Sequence, residues 1–310
     1  MIYKIINFFN KQKLKIKLLA GIVKKQLKKE KSVIKKIKII CLIPVRIIKV
    51  LLGIELNISY IEIVLTTFCN LKCKGCSALM GYYKKPEHFK LDDNIKALQK
   101  LVDSCDCIRH LRLLGGEILC YPNLYELLVY LKDQEKIERV ALVTNGTMIL
   151  KDSRLIEILK DDKFYFSISN YGSVSRNYDN LIQQLDDNNI KYIPMRDNYE
   201  WIDYGNLELR NRTSKQLKKQ YLYCNHRVNS LLNGKLFQCF RCSHATNLKL
   251  IELKKEDYID LFDKNISNKQ MKKKLYKFLY KYTPYIESCK HCDCMITSKK
   301  IPRGKQNRKD

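Results

Sequence analysis

Residues 66–76 read TTFCNLKCKGC and place three cysteines, Cys69, Cys73 and Cys76, in one short loop. Three residues separate the first pair and two separate the second. Thiolates are soft ligands that take zinc or iron–sulfur clusters. A structural zinc site closes with four ligands, and the neighbouring sequence offers no fourth. A cube of four irons held by only three thiolates keeps one iron open, and that iron can bind a small molecule carrying both an amine and a carboxylate.

Outward from this loop the chain alternates between two periods. A β-branched run at 61–66 leads into the loop. Helical spacing follows at 91–103 behind Asp92 and Asp93, a strand at 110–114 ends on Gly115-Gly116, and a helix covers 124–131. A strand at 140–144 then closes on Asn145-Gly146. After it come a helix at 155–159, a strand at 164–169, a helix at 178–185 and a strand at 191–194. Strands alternating with helices at this interval predict an α/β fold with a parallel sheet and helical crossovers. In such a sheet ligands gather beyond the carboxyl ends of the strands. The cysteine loop, Gly115-Gly116-Glu117, Thr144-Asn145-Gly146 and the 167–170 turn all belong to that edge.

The Cys-x3-Cys-x2-Cys spacing at the end of the first strand, with Gly115-Gly116-Glu117 after the second, resembles the radical SAM superfamily. The resemblance implies a partial (β/α)6 barrel and a 4Fe–4S cluster on Cys69, Cys73 and Cys76, with S-adenosylmethionine on its open iron. It also implies cofactor-binding roles for Gly115, Gly116, Glu117, Asn145, Ser167 and Ser169, with Glu117 pairing to the methionine ammonium. Two positions depart from the family pattern. Gly75 stands where an aromatic residue often precedes the last cysteine, and Ile118 follows Glu117 where proline is usual.

A second cysteine set lies downstream at Cys224, Cys239, Cys242, Cys289, Cys292 and Cys294. The run from Cys224 through Gly234 to Cys239 resembles the opening of the SPASM and Twitch auxiliary-cluster domains, with Gly234 turning a hairpin between 231–232 and 236–237. That resemblance implies a second 4Fe–4S cluster on Cys224, Cys239, Cys289 and Cys292, with Cys242 and Cys294 as alternative ligands. Two Cys-x2-Cys pairs, 239/242 and 289/292, also have the spacing of a zinc site. Cys41, Cys105, Cys107 and Cys120 read for the most part as buried small hydrophobes. His226, His244 and His291 lie near the second set without a ligand pattern of their own.

The chain of 310 residues is 45% hydrophobic, enough for a sizeable core, and carries a net charge of +27. About half of that excess sits in residues 1–50, where fourteen lysines and Arg46 face only Glu30. The distribution describes a basic arm on an ordinary domain, not a basic face that would hold nucleic acid. Lysines interleaved with Ile, Leu and Phe fit a helix lying on an anionic membrane surface, or one packed on its own domain. The run 39–54 is too short and too charged to cross a bilayer. Thirteen cysteines without a secretory signal point to a reducing cytoplasm, with the arm at the inner membrane face. The organisation read from the sequence is a basic extension at 1–57, a radical SAM core at 58–200, a smaller auxiliary-cluster domain at 201–296 and a basic tail at 297–310.

The resemblance implies an oxidoreductase that cleaves S-adenosylmethionine reductively, fed by a reductant such as flavodoxin or ferredoxin. Two substrate classes follow from it: a carbohydrate or cyclitol to be oxidised or epimerised, or a peptide to be modified. The arm lacks the alternating strands of a peptide-binding domain and so favours the carbohydrate. A zinc-stabilised nucleic-acid-binding protein is the non-enzymatic alternative, and it leaves Gly115-Gly116-Glu117 without a role.

Overall fold

The computed structural model describes residues 2–195, 200–224, 226–281, 283–294 and 299–307, with side chains from residue 10 onward apart from 25 and 29. Three helices open the chain, α1 (Ile2–Lys29), α2 (Val33–Cys41) and α3 (Ile43–Leu52). The strands are β1 (Asn57–Ile58), β2 (Ile61–Thr66), β3 (Cys107–Ile108), β4 (Leu111–Gly115), β5 (Val140–Thr144), β6 (Phe164–Ile168), β7 (Tyr192–Pro194), β8 (Trp201–Ile202), β9 (Ser230–Leu232), β10 (Lys235–Phe237), β11 (Tyr258–Asp260) and β12 (Lys300–Ile301). Between and after them run α4 (Leu91–Asp103), α5 (Leu124–Lys132), α6 (Ser153–Leu159), α7 (Tyr178–Asp187), α8 (Ser214–Tyr223), α9 (Phe240–Asn247) and α10 (Asn268–Tyr280).

Eight strands form one sheet in the order β11-β10-β9-β2-β4-β5-β6-β7. Six of them, β9, β2, β4, β5, β6 and β7, are mutually parallel, which is the expected partial-barrel α/β architecture. Strand β2 is buried on both faces along its whole length, and its sequence IEIVLT is correspondingly apolar and β-branched. Helices cover the sheet with apolar stripes. Ala97, Leu98 and Leu101 come from α4, and Leu124, Leu127, Leu128 and Leu131 from α5, all packed in one core with Ile63, Leu113, Leu142 and Phe166.

The region after residue 200 shares this sheet. The β9–β10 hairpin turns on Asn233 and Gly234, both with positive φ, the conformation a two-residue type I′ turn requires. Its first strand pairs parallel with β2, Ile63 opposite Leu231. The hairpin of the region read as a smaller domain at 201–296 thus lies in the same sheet as β2, on the side of β2 away from β4. The boundary at 296–297 lies outside the described residues.

The arm divides into two parts. Leu18, Leu19, Ile22 and Val23 of α1 are buried, and Lys15, only 2% exposed, places its Nζ 2.5 Å from the Tyr276 hydroxyl and 4.4 Å above that ring. Burial lowers the Lys15 pKa to about 8. By contrast α2 has no buried side chain, and Cys41 on it is exposed, unlike the buried Cys105 and Cys107. Among the described residues no helix is long and apolar enough to cross a membrane.

A Leu231→Ala substitution, at a site 1% exposed, should cost roughly 2–5 kcal/mol. Because β9 and β2 belong to one sheet, urea should unfold the variant in a single transition, with Trp201 fluorescence and helical circular dichroism changing together. Two separated transitions would show that the regions before and after residue 200 fold independently.

Candidate active site

The cysteine loop is held by the strand beside it. At the end of β4, Gly116 N–H donates to the Thr66 carbonyl at 2.9 Å and Glu117 N–H donates to the Phe68 carbonyl at 2.8 Å. A Cβ on Gly115 would stand 2.3 Å from the Thr66 oxygen, and one on Gly116 would stand 2.0 Å from the Phe68 oxygen. No side chain fits at either position, so the glycine pair is a packing requirement of the loop. From the other side, His88 stacks on Phe68 with ring centroids 4.2 Å apart, and its Nδ1 lies 2.8 Å from the Thr66 hydroxyl.

Burial governs the three thiols. The Cys69 pKa is pushed up to about 12 and that of Cys73 to about 11, opposed by the Leu71 N–H at Cys69 and by the Gln306 amide at Cys73. Cys76 is also raised by burial, although the N–H groups of Met80, Ala78 and Leu79 all point at its sulfur. Thiols raised in this way deprotonate only against a cationic partner, which is how buried thiols behave as metal ligands.

The strand-end residues take different positions. Asn145, after β5, directs its Nδ2 at Cys69 Sγ (3.9 Å) and at Asn70 Oδ1 (3.0 Å). Ser169 is buried and donates to Met195 Sδ at 3.1 Å. Glu117 is fully buried, and its oxygens accept from Thr144 Oγ1 (2.7 Å), Asn145 N (2.8 Å) and Leu119 N (3.1 Å). Burial raises its pKa, with the Asn145 and Thr144 bonds opposing. Glu117 thus braces the ends of β4 and β5 against one another. It does not line the central cavity, and neither does Ser167 on β6, whereas Gly115, Gly116, Asn145 and Ser169 do.

All six downstream cysteines converge around a small second cavity of about 40 Å3. Cys224 follows α8 directly, the hairpin delivers Cys239, and the 289–294 loop supplies the other side. Cys294 Sγ lies 3.8 Å from Cys224 Sγ, and its N–H is 3.4 Å from Cys292 Sγ. As a thiol between those two sulfurs Cys294 keeps its proton, so Cys292 is lowered to about 7 and Cys224 is lowered as well. Burial raises Cys239 and Cys289, and pushes Cys242 up to about 12.

Asp293 fixes this loop through Arg210 (2.8 Å) and Arg212 (2.5 Å), and the Arg210 bond holds its carboxyl below the usual range. His226 Nδ1 meets the Tyr204 hydroxyl at 2.9 Å, His291 Nδ1 meets the Leu207 carbonyl at 2.9 Å, and His244 is entirely buried beside Tyr83, with burial lowering its pKa to about 3.

One cavity of about 340 Å3 joins the two sets. Its wall includes Cys69, Cys73 and Cys76 on one side and Cys224, Cys239, Cys292 and Cys294 on the other. Arg241 stands between them, 7% exposed, and its charge acts on both Cys76 and Cys292. Its only mark in the sequence is its place two residues after Cys239. Glu62 and Arg112, paired at 3.1 Å across β2 and β4, also line the cavity. Charged residues inside the apolar strands IEIVLT and LRLLG were the available signal.

The family model of the radical SAM superfamily matches residues 63–173. Those residues form a radical SAM domain. GTP 3′,8-cyclase of Syntrophomonas wolfei is 35% identical over 94 residues, covering 30% of this chain and 29% of that protein. The Bacillus subtilis antilisterial bacteriocin subtilosin biosynthesis protein AlbA is 34% identical over 101 residues, covering 32% and 20%. The match thus spans less than a third of the length of either relative. A solved structure of BtrN in complex with AdoMet and 2-DOIA aligns with 82% of this chain and all of that one, at 14% identity and a TM-score of 0.48.

Within the radical SAM domain the glycine pair is the most exacting contact. Gly116→Ala should force the Phe68–Cys69 backbone aside and destabilise the fold by roughly 1–3 kcal/mol. Anaerobically reconstituted variant protein should hold less iron than the parent. Unchanged iron content and unchanged urea stability would contradict the close approach.

Proposed function

We propose that the protein is a radical SAM oxidoreductase with two iron–sulfur sites, one held by Cys69, Cys73 and Cys76 and the other drawn from Cys224, Cys239, Cys289 and Cys292, with Cys294 or Cys242 as substitutes. The observation that carries this reading is the single cavity whose wall contains Cys69, Cys73 and Cys76 together with Cys224, Cys239, Cys292 and Cys294. The first set suits a cube with an open iron, since three thiols, Cys73 buried and Cys69 and Cys76 partly so, line one side of that cavity. When bound, such a cluster and S-adenosylmethionine supply reductive cleavage of the sulfonium and a hydrogen-abstracting deoxyadenosyl radical.

The chain's own residues prepare the site. Gly115 and Gly116 leave the β4 end bare for close approach, and Asn145 orients the Cys69–Asn70 segment. Arg241 offsets negative charge from both thiolate sets. Tyr171, Trp201 and Tyr204 wall the cavity with aromatic faces and limit its water. A second cluster with four thiolates has no iron free for substrate and suits electron exit, hence net oxidation.

Aromatic faces beside Glu62, Arg112, His226 and Arg241 suit a polar ring, and we assign a carbohydrate or cyclitol substrate in surface-polysaccharide or natural-product assembly. Peptide modification is the second reading, favoured by the likeness to AlbA, a bacteriocin biosynthesis protein by its name. Reductant delivery by a flavodoxin or ferredoxin completes the proposal.

Anaerobic reconstitution should give about eight irons per chain, two cubes, and deoxyadenosine from S-adenosylmethionine with dithionite. Replacing Cys69, Cys73 and Cys76 with Ala should abolish deoxyadenosine. Persistent turnover would overturn the core assignment, and iron for one cube with one zinc would overturn the second cluster.

We also assign α2 and α3 to a cytoplasmic anionic membrane surface. Ile34 is 80% exposed, and Val33, Ile37, Ile40, Ile48 and Leu52 are exposed with it, interleaved with Lys35, Lys36, Lys38 and Lys49. That mixture of apolar and cationic groups matches the headgroup boundary. The protein should sediment with phosphatidylglycerol vesicles, and Ile34→Asp with Ile37→Asp should weaken binding at least about tenfold, equivalent to about 1.4 kcal/mol. Equal binding by parent and variant would remove the membrane assignment.

A further inference from the structure

The described part of the basic tail, 299–307, is not a loose appendage. Strand β12 pairs antiparallel with β8, Ile301 opposite Trp201, and Asp203 N–H donates to the Lys299 carbonyl at 2.7 Å. The chain then crosses the cysteine loop. Lys74 N–H donates to the Lys305 carbonyl at 2.6 Å, and Asn307 N–H donates to the Lys72 carbonyl at 2.8 Å, on either side of a bridge between Cys73 and Gln306. The Gln306 side chain serves both partners: its Oε1 accepts from Lys72 N–H at 2.7 Å, and its Nε2 donates to Cys73 Sγ at 3.1 Å.

Two glycines fit this crossing. Gly75 has φ +70°, and a Cβ there would lie 2.1 Å from Ile301 Cδ1. The Ile301 side chain therefore covers the loop at the position where the family often carries an aromatic residue. Gly304, at φ +66°, lies so close to Tyr171 that a Cβ would stand 2.5 Å from the Tyr171 Cβ. Trp201 and Tyr171, the two residues the tail leans on, both line the central cavity.

We propose that residues 299–307 are a built-in strap over the first cysteine site, in which Gln306 is a positioning residue that donates a hydrogen bond to the Cys73 sulfur and Ile301 supplies the cover that Gly75 lacks. The strap does two things. It shields the Cys73 side of the site from solvent, and its amide hydrogen bond stabilises added negative charge on a cluster ligated there. Hydrogen bonds to ligating sulfurs and solvent exposure are the means by which proteins set iron–sulfur potentials. Part of this rests on the radical SAM reading, because the potential has meaning only if Cys73 holds a cluster. The shielding of Cys73 does not depend on it.

The test uses the full-length Gln306→Leu variant and a chain ending before Lys299. In metal-free reduced protein, iodoacetamide labelling of Cys73, followed by peptide mass spectrometry, should accelerate about tenfold in the shortened chain. In reconstituted protein, chelator removal of iron from the first site should accelerate by about tenfold in both variants. The midpoint potential of that cluster should move to more negative values in Gln306→Leu. Labelling of Cys73 at the parental rate in the shortened chain would overturn the strap. An unchanged potential in Gln306→Leu, in protein that holds its cluster, would overturn the role of the Gln306 hydrogen bond. If the parent itself binds no iron on Cys69, Cys73 and Cys76, the radical SAM reading fails, while faster Cys73 labelling would still sustain the strap.

Discussion

Two hydrogen bonds, from Gly116 to Thr66 and from Glu117 to Phe68, run between the end of β4 and the beginning of the cysteine loop. They exist only because neither Gly115 nor Gly116 has a side chain, since any Cβ would overlap the opposing carbonyls. Much else in the site follows from that approach. It turns the chain after Thr66 so that Cys69 reaches Asn145, and it buries Glu117 beneath the junction. The Glu117 carboxylate then ties β4 to β5 through Thr144 and Asn145. The glycine-glycine-glutamate run therefore acts as the hinge pin between strand and loop. An uncompensated carboxylate in that position would be costly, and three donors close around it.

Electrostatics explains why the two cysteine sets face one cavity without repelling one another. Thiolates gathered in a low-dielectric space raise each other's pKa, and burial raises them further. Arg241 lies between the sets, and Arg227 adds a second positive charge near Cys224. Within the second set the protons are shared unevenly. Cys294, as a thiol between Cys224 and Cys292, lowers the pKa of both. Of the four ligands read from the sequence, Cys224 and Cys292 have lowered pKa values while burial raises Cys239 and Cys289, and Cys294 is a closer neighbour of Cys224 than its position in the chain suggested.

What the sequence disclosed was local. Strand and helix positions came within a residue or two because each was written in a short periodic run, and the β9–β10 hairpin was marked by Asn233-Gly234. What it withheld depended on partners far apart in the chain. Nothing near Glu62 announces Arg112, nothing near Asp293 announces Arg210, and nothing near Cys73 announces Gln306, more than two hundred residues away. The register of β9 beside β2 was equally hidden, since a three-residue strand carries no label for its neighbour. Glu117 shows the opposite limit: its motif was plain, but its oxygens are taken up by Thr144, Asn145 and Leu119, and the residue itself does not line the cavity.

The amino-terminal arm shows why charge alone is a poor guide to partners. Its lysines are not equivalent. Lys15 loses its water, settles over Tyr276 and Tyr280 and anchors α1 through cation–π and hydrogen-bond contacts. The lysines of α2 flank Ile34, Ile37 and Ile40, which stay exposed while Ile39 packs towards Leu19 and Val23 of α1. The same residue types, at similar spacing, thus make a docked helix in one place and an uncovered amphipathic surface in the next. The difference is set by the aromatic face of α10, which meets α1 and leaves α2 open, so the basic half of the charge divides between holding the fold together and facing outward.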